Sequence, residues 1–334
     1  VIEQHLEGRS RHQLVGLFLG PLLAIAMVLA GAPEGLSESG WMTAAVGVLM
    51  AVWWATEAVP IAVTALLPIV VFPLLGIATI QDTTAPYANK VIYLFLGGFI
   101  VAFAMQRWNL HRRIALNVLQ HVGGNGRSLI GGFMLAAAII SMWVMNTSTT
   151  MMLLPIAVSI IGVIHSSVDG LDEKARLDFQ YALLLGVAYA ATIGGMATLV
   201  GTAPNALLAA FMQETYGIEI DFASWMLVGL PLSALMLPLA WLVLTRIAFR
   251  VDFRTSGEGK ATLRRLKEEL GPVTTPELRV AIVFTLMAVT WVARPLLVKL
   301  PGLSALDDSG ICLLYTSPSP RDPRGDRVCR LLLE

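Results

Sequence analysis

The chain is poor in charge and almost free of cysteine. Only 14% of its 334 residues are Asp, Glu, Lys or Arg, against roughly 25% in soluble domains, which excludes an ordinary soluble enzyme. Its 23 basic residues are balanced by 23 acidic ones, so no overall positive field exists to hold nucleic acid. The two cysteines stand at 312 and 329, leaving the preceding chain no thiols for a zinc site or a disulfide framework. An H-E-x-x-H pair, a Gly-x-Ser-x-Gly elbow and a pair of intramembrane aspartates are all missing, which speaks against hydrolytic chemistry.

What the sequence has instead is apolar length. Crossing about 30 Å of hydrocarbon takes roughly 20 mostly apolar residues, and runs of this kind recur at 14–31, 41–56, 58–77, 91–106, 128–164, 181–212, 222–245 and 280–293, the last extendable to 300. The first is long enough to be a retained span rather than a cleaved signal. The expected fold class is an all-α, multi-pass integral membrane protein in the lipid bilayer.

Basic residues gather in alternate loops. Arg9 and Arg11, then Arg107, Arg112, Arg113 and Arg127, then the cluster from Arg246 to Lys267 face acidic or mixed loops carrying Glu34, Glu38, Asp82, Glu214, Glu219 and Asp221. The positive-inside tendency therefore places the N-terminus in the cytoplasm. Residues 107–121 mix Trp108, Leu110, Ile114, Leu116 and Leu119 with arginines, a pattern for a helix lying at the cytoplasmic interface, with a solvated loop as the competing reading. Glu57, between two runs, reads as a cap rather than an ion ligand. Trp41, Trp53, Trp54, Trp225 and Trp241 lie near run ends and read as interfacial anchors.

Two apolar runs are interrupted. In 128–164 the polar stretch Asn146, Thr147, Ser148, Thr149, Thr150 follows an apolar arm. The arm beyond it, 151–164, spans only about 21 Å as helix, which favours a re-entrant hairpin with Asn146 and Thr147 near the midplane. Irregular backbone at that depth must be buried in protein or line a watery cavity. In 181–212 the residues Gly194, Gly195, Gly201, Thr202, Pro204 and Asn205 predict a helix broken near its middle. Two broken helices point to a secondary-transporter site, in which unwound carbonyls take cations and half-helix N-termini face anions. Sodium, a hard cation, suits neutral oxygen ligands. Ser141, Asn146 and the carbonyls at Gly194 and Gly195 are the candidate sodium ligands, and Thr147, Ser148, Thr202 and Asn205 the candidate carboxylate donors. The bland alternative is Ser and Thr bonding between helices and Gly serving close packing.

Three motifs in order, Trp53-Trp54-Ala-Thr-Glu57-Ala-Val-Pro60, Ser141-Met-Trp-Val-Met-Asn146-Thr147-Ser-Thr-Thr150 and Ile193-Gly-Gly-Met-Ala-Thr-Leu-Val-Gly201-Thr-Ala-Pro-Asn205, resemble the divalent anion:sodium symporter family over about 14–310. The resemblance implies inverted repeats, each with a re-entrant hairpin, an elevator-like moving part, a homodimer and residence in the plasma (inner) membrane. It implies Na+ as coupling ion, no organic cofactor and no enzymatic activity. It also implies a sodium site from Ser141, Asn146, Gly194 and Gly195, and substrate contacts from Asn146 and Thr147. The default cargo is a C4-dicarboxylate such as succinate or malate, with citrate, sulfate or another oxyanion, or another coupling ion, as alternatives. A non-transporting membrane fragment or assembly partner is the alternative from a different class. Two positions depart from the family pattern: Met145 stands where the signature has Ser, and Ala203 where it has Pro. The expected organisation is N-terminal spans with an interfacial helix at 1–127, the hairpin at 128–164, the broken helix at 178–212 and late scaffold spans with a cytoplasmic linker at 222–300. A composition break after Ile311 marks 312–334 as a tail foreign to the pattern.

Overall fold

The computed structural model describes residues 10–121, 125–167, 172–253 and 258–316. The described residues are almost entirely helical, and seven helices are long and apolar enough to cross a membrane by length and composition. The chain is an all-α, multi-pass membrane protein. Contacts divide it into two units, residues 1–89 and 90–334.

In the first unit, α1 (Arg11–Ala30) and α2 (Glu38–Thr56) pack along their length. Close approach is set by Gly16 and Gly20, whose missing side chains make room for Thr56 and for Leu49 and Trp53. Glu57 is the C-cap of α2, exposed, with a left-handed backbone (φ 51°) and its N–H on Trp53 O, as the cap reading expected. The run at 58–77 does not form one span-length helix. It breaks into α3 (Ile61–Ala65) and α4 (Leu67–Leu74), because Pro60, Pro68 and Pro73 punctuate a run too short to absorb them. The short α5 (Ile80–Thr84) and a 3-10 turn, Ala85–Ala88, close the unit.

The second unit holds α6 (Lys90–Arg107), the amphipathic α7 (Leu110–Gln120), α8 (Gly126–Ser141), α9 (Asn146–Ser167), α10 (Glu173–Gly195), α11 (Ala203–Tyr216) and α12 (Phe222–Leu242). The last of these relaxes into a π-helical stretch, Val243–Ala248. Then follow α13 (Glu258–Glu269), α14 (Thr275–Leu297) and α15 (Asp308–Thr316). The main core gathers Leu116 and Leu119 of α7, Ile130, Phe133 and Met134 of α8, Ile160 of α9 and Phe179 and Leu183 of α10. Helices α8 and α10 share the most extensive contact in the chain, brought close by Gly186 against Met134 and Gly194 against Ala138. Cys312, the first residue of the expected tail, is buried within α15 against Gly97. Residues 317–334 lie outside the described residues.

Two ion-pair groups tie α14 at its ends. Near its start, the buried Glu277 takes a bidentate contact from Arg113 of α7, whose remaining N–H groups reach Gly271 O and Pro272 O. Near its end, Arg294 lies 3.3 Å from Glu219, 3.7 Å from Asp221 and 3.6 Å from Asp308, and donates to Leu306 O. Asp308 stands outside the seven spans. Burial pushes its carboxyl up to about 6, against the opposing pull of the Phe222 N–H and Arg294. A folded pKa above the unfolded value stabilises fully below about pH 4 and is lost as pH rises through about 6. Thermal unfolding of the purified chain should therefore show stability falling from pH 4 to 7, by on the order of 2 kcal/mol from this group. Asp308→Asn should flatten that portion of the profile, and an unaltered slope would contradict the assignment.

Candidate functional site

The first break spans residues 142–145. The polar run after it is not loop: α9 starts at Asn146, so its 22 residues are about 33 Å long. The second arm is therefore longer than the expected 21 Å or so, because Asn146 to Thr150 and residues 165–167 are wound into it. At this length it is able to cross a membrane, so length does not favour a re-entrant hairpin over a full span. Two of the polar run's hydroxyls are accommodated locally. Thr150 donates to Asn146 O at 2.9 Å and the buried Thr149 to Val144 O at 3.4 Å. That back-bonding lets a Thr-rich turn sit in a helix.

The second break spans residues 196–202. Gly194 and Gly195 are not unwound but form the last turn of α10, while Pro204 sits at the start of α11, where its missing N–H costs nothing. Between them the loop is fastened from within. The Asn205 amide donates to Gly195 O at 2.9 Å and to Thr198 O at 2.8 Å. The buried Thr198 hydroxyl accepts from Gly201 N–H at 3.1 Å and donates across to Met142 O in the first break.

The two breaks meet. Ser141, fully buried, donates to Asn146 Oδ1 at 2.8 Å. A Cβ on Gly195 would fall 2.2 Å from that same Oδ1, and one on Gly201 2.6 Å from Gly195 O and 2.9 Å from Ser141 O. Asn146 Oδ1, bonded to Ser141 Oγ, thus faces the bare side of Gly195, and Ser141 O and Gly195 O face that of Gly201, so neutral oxygens from both breaks lie against two adjoining glycines. A carbonyl carries two lone pairs, so Gly195 O retains one beside the Asn205 contact, and Asn146 Oδ1 one beside Ser141. The donor set is neutral and oxygen-only. No cluster of three or more His, Cys, Asp or Glu able to hold a metal occurs among the described residues.

Of the sequence-chosen sodium ligands, Ser141, Asn146 and Gly195 come together at this junction, whereas Gly194 faces the Ala138 backbone of α8 and its carbonyl accepts from Ala197 N–H. Thr147 is exposed and Ser148 half-buried in the first turn of α9, and Thr202 is half-buried just before α11. Asn205 has a different place from the one expected: it is buried, and both amide hydrogens are spent on the loop. Met145 is 42% exposed at the tip. Sequence reasoning passed over Thr198, although it lies midway along the break. It also passed over the braces from α12: Ser233 donates to Ile193 O at 2.7 Å and Trp225 Nε1 to Met196 O at 3.0 Å. Trp225, expected as a membrane anchor, here satisfies a carbonyl freed by the break.

Residues 11–312 match the family described as the sodium:sulfate symporter transmembrane region. The sodium-dependent dicarboxylate transporter SdcS of Staphylococcus saprophyticus is 41% identical over 288 residues, 86% of this chain and 56% of that protein. The protein of the same name from Staphylococcus aureus strain USA300 is 40% identical over 291 residues, 87% of this chain and 56% of its own length. The chain therefore spans a little over half the length of the relatives it matches.

Proposed function

Because the chain belongs to the sodium:sulfate symporter family, we propose that it forms the first half of the binding machinery of a sodium-coupled carrier of C4-dicarboxylates such as succinate or malate. The observation that carries this is the meeting of the two breaks, which sets the Ser141 hydroxyl, Asn146 Oδ1 and the Gly195 carbonyl around one junction. Sodium is held there as the coupling ion by neutral oxygens, with Gly194 shaping the approach of α10 to α8.

On this reading the anion binds after the cation. Converging oxygen lone pairs repel a carboxylate, whereas a sodium ion among them leaves a net positive charge in a poorly screened place. The N-termini of α9 and α11 add partial positive charge, and neither helix has an acidic residue in its first turn. Thr147, Ser148 and Thr202 stand at those termini with hydroxyls to donate, and Asn146 serves ion and anion together. Asn205 acts on the site indirectly, by holding Gly195 O and Thr198 O in place. The α12 braces give the broken helix a partner with which to move. We take the 128–164 segment as the re-entrant hairpin of the moving part, the protein as an elevator-type homodimer in the inner membrane, and the N-terminus as cytoplasmic. Support for the cargo comes from the relatives, which are named as sodium-dependent dicarboxylate transporters.

The test is uptake of labelled succinate into proteoliposomes, with the chain expressed at the full length its relatives have. An inward sodium gradient should drive accumulation, and replacing sodium by choline should reduce uptake to background. Equal uptake in choline would overturn the coupling ion. Sodium-driven uptake of labelled sulfate with none of labelled succinate would overturn the cargo, an outcome that the apolar Met145 at the tip makes worth measuring.

A further inference from the structure

A cavity of about 630 Å³ lies between α7 and α13, lined by Arg113, Gln120, Leu263, Arg264, Lys267 and Glu268 with the turn at Gly271. Its wall carries three cations and one acid. Arg113 is immobilised by Glu277 and by the Gly271 and Pro272 carbonyls. Arg264 has only an exposed contact with Glu268, of a kind worth little in water. Lys267 is the informative residue. Its ammonium rests 2.8 Å from the neutral Gln120 amide oxygen, so its charge is positioned by that contact without being cancelled.

The setting specifies the ligand. Both α7 and α13 are amphipathic linkers between long apolar helices, and both press buried leucines, Leu116, Leu119 and Leu263, into the core. They belong to the loops in which Lys and Arg gather, the side that positive-inside bias assigns to the cytoplasm. Immediately after the Gly271 turn, α14 exposes Leu278, Ile282, Leu286 and Val289 at intervals of three and four residues, while Glu277, Val280 and Met287 are buried. A cationic cavity therefore opens beside the start of an apolar, lipid-facing strip.

We propose that this cavity binds the phosphate headgroup of an anionic phospholipid, whose acyl chains run along α14. Lys267 and Arg264 contact the phosphate, while Arg113, its charge met by Glu277, forms part of the fixed wall. Such basic pockets between membrane helices suit anionic headgroups on the negatively charged leaflet. The site stands apart from the break junction and does not depend on which ion or cargo is carried.

The test uses the purified chain in mixed detergent micelles carrying phosphatidylglycerol or phosphatidylcholine, with retained lipid counted by native mass spectrometry. Phosphatidylglycerol should be retained about tenfold over phosphatidylcholine, and the paired substitution Arg264→Gln, Lys267→Gln should abolish that preference. The control pair Arg246→Gln, Arg250→Gln, which removes the same charge elsewhere in the basic loops, should leave it in place. Thermal unfolding in phosphatidylcholine alone checks that both pairs fold. Equal retention of the two lipids would overturn the proposal, as would equal loss in the control pair. Displacement of the lipid by millimolar glycerol phosphate would also overturn it, since that marks a site for a free anion.

Discussion

Asn146→Ala should reduce sodium-dependent uptake to the choline background while leaving helix content and membrane insertion unchanged. The side chain touches little that holds the fold together: its Oδ1 accepts from Ser141 and faces Gly195, and helix α9 continues without it. What the substitution removes is an oxygen at the place where the two breaks converge. Losing one contact to a charged group costs about 1.5–3 kcal/mol, or roughly ten- to a hundredfold in sodium affinity, and substrate binding fails with it because the anion needs the cation's charge. Asn146→Asp is the informative companion. It keeps the oxygen but adds a negative charge, so sodium binding should survive better than carboxylate binding. Uptake unaffected by Asn146→Ala would remove the site assignment.

The adjacent glycines should fail in different ways. A Cβ on Gly194 would lie 2.3 Å from Ala138 O and 2.5 Å from Ala138 Cα. That clash is with the backbone of α8, across the largest helix contact in the chain, and neither helix can yield cheaply. Gly194→Ala should destabilise by about 3 kcal/mol and be seen as lost yield and a lowered unfolding temperature. On Gly195 the nearest atoms belong to the Asn146 side chain, which can rotate away. Gly195→Ala should therefore fold and insert, yet lose sodium dependence almost as completely as Asn146→Ala. Unfolding by Gly195→Ala together with tolerance of Gly194→Ala would contradict this packing of α10 on α8.

The parts legible in the sequence are those set by composition and by residues with few conformational options. The apolar runs mark most of the long helices, since a span has to be apolar over its length. The breaks were legible because five consecutive polar residues, or a cluster of glycines with Pro204, rarely fit an unbroken helix inside an apolar run. The boundary of α9 was not, because Thr149 and Thr150 bond back to Val144 and Asn146, and such accommodation leaves no mark in residue type. The division of 58–77 was carried by prolines whose effect depends on how much helix remains on either side. At the site, Asn205 was readable as special but not as to role: whether an amide serves a ligand or a loop depends on which carbonyls reach it. Thr198, Trp225 and Ser233 were missed for a related reason. They satisfy carbonyls that become free only once the break exists, and their partners lie from 29 to 56 residues away.

The most direct measurement is the unfolding temperature of the purified chain as sodium replaces choline at constant ionic strength, with Asn146→Ala alongside. The oxygens of the proposed sodium site all lie within the described residues, so ion binding to the folded state should raise stability by mass action. The expected result is a rise specific to sodium, absent with choline and potassium, and abolished by Asn146→Ala. A rise of the same size with potassium, or one that persists in Asn146→Ala, would contradict the claim that the two breaks form a sodium site.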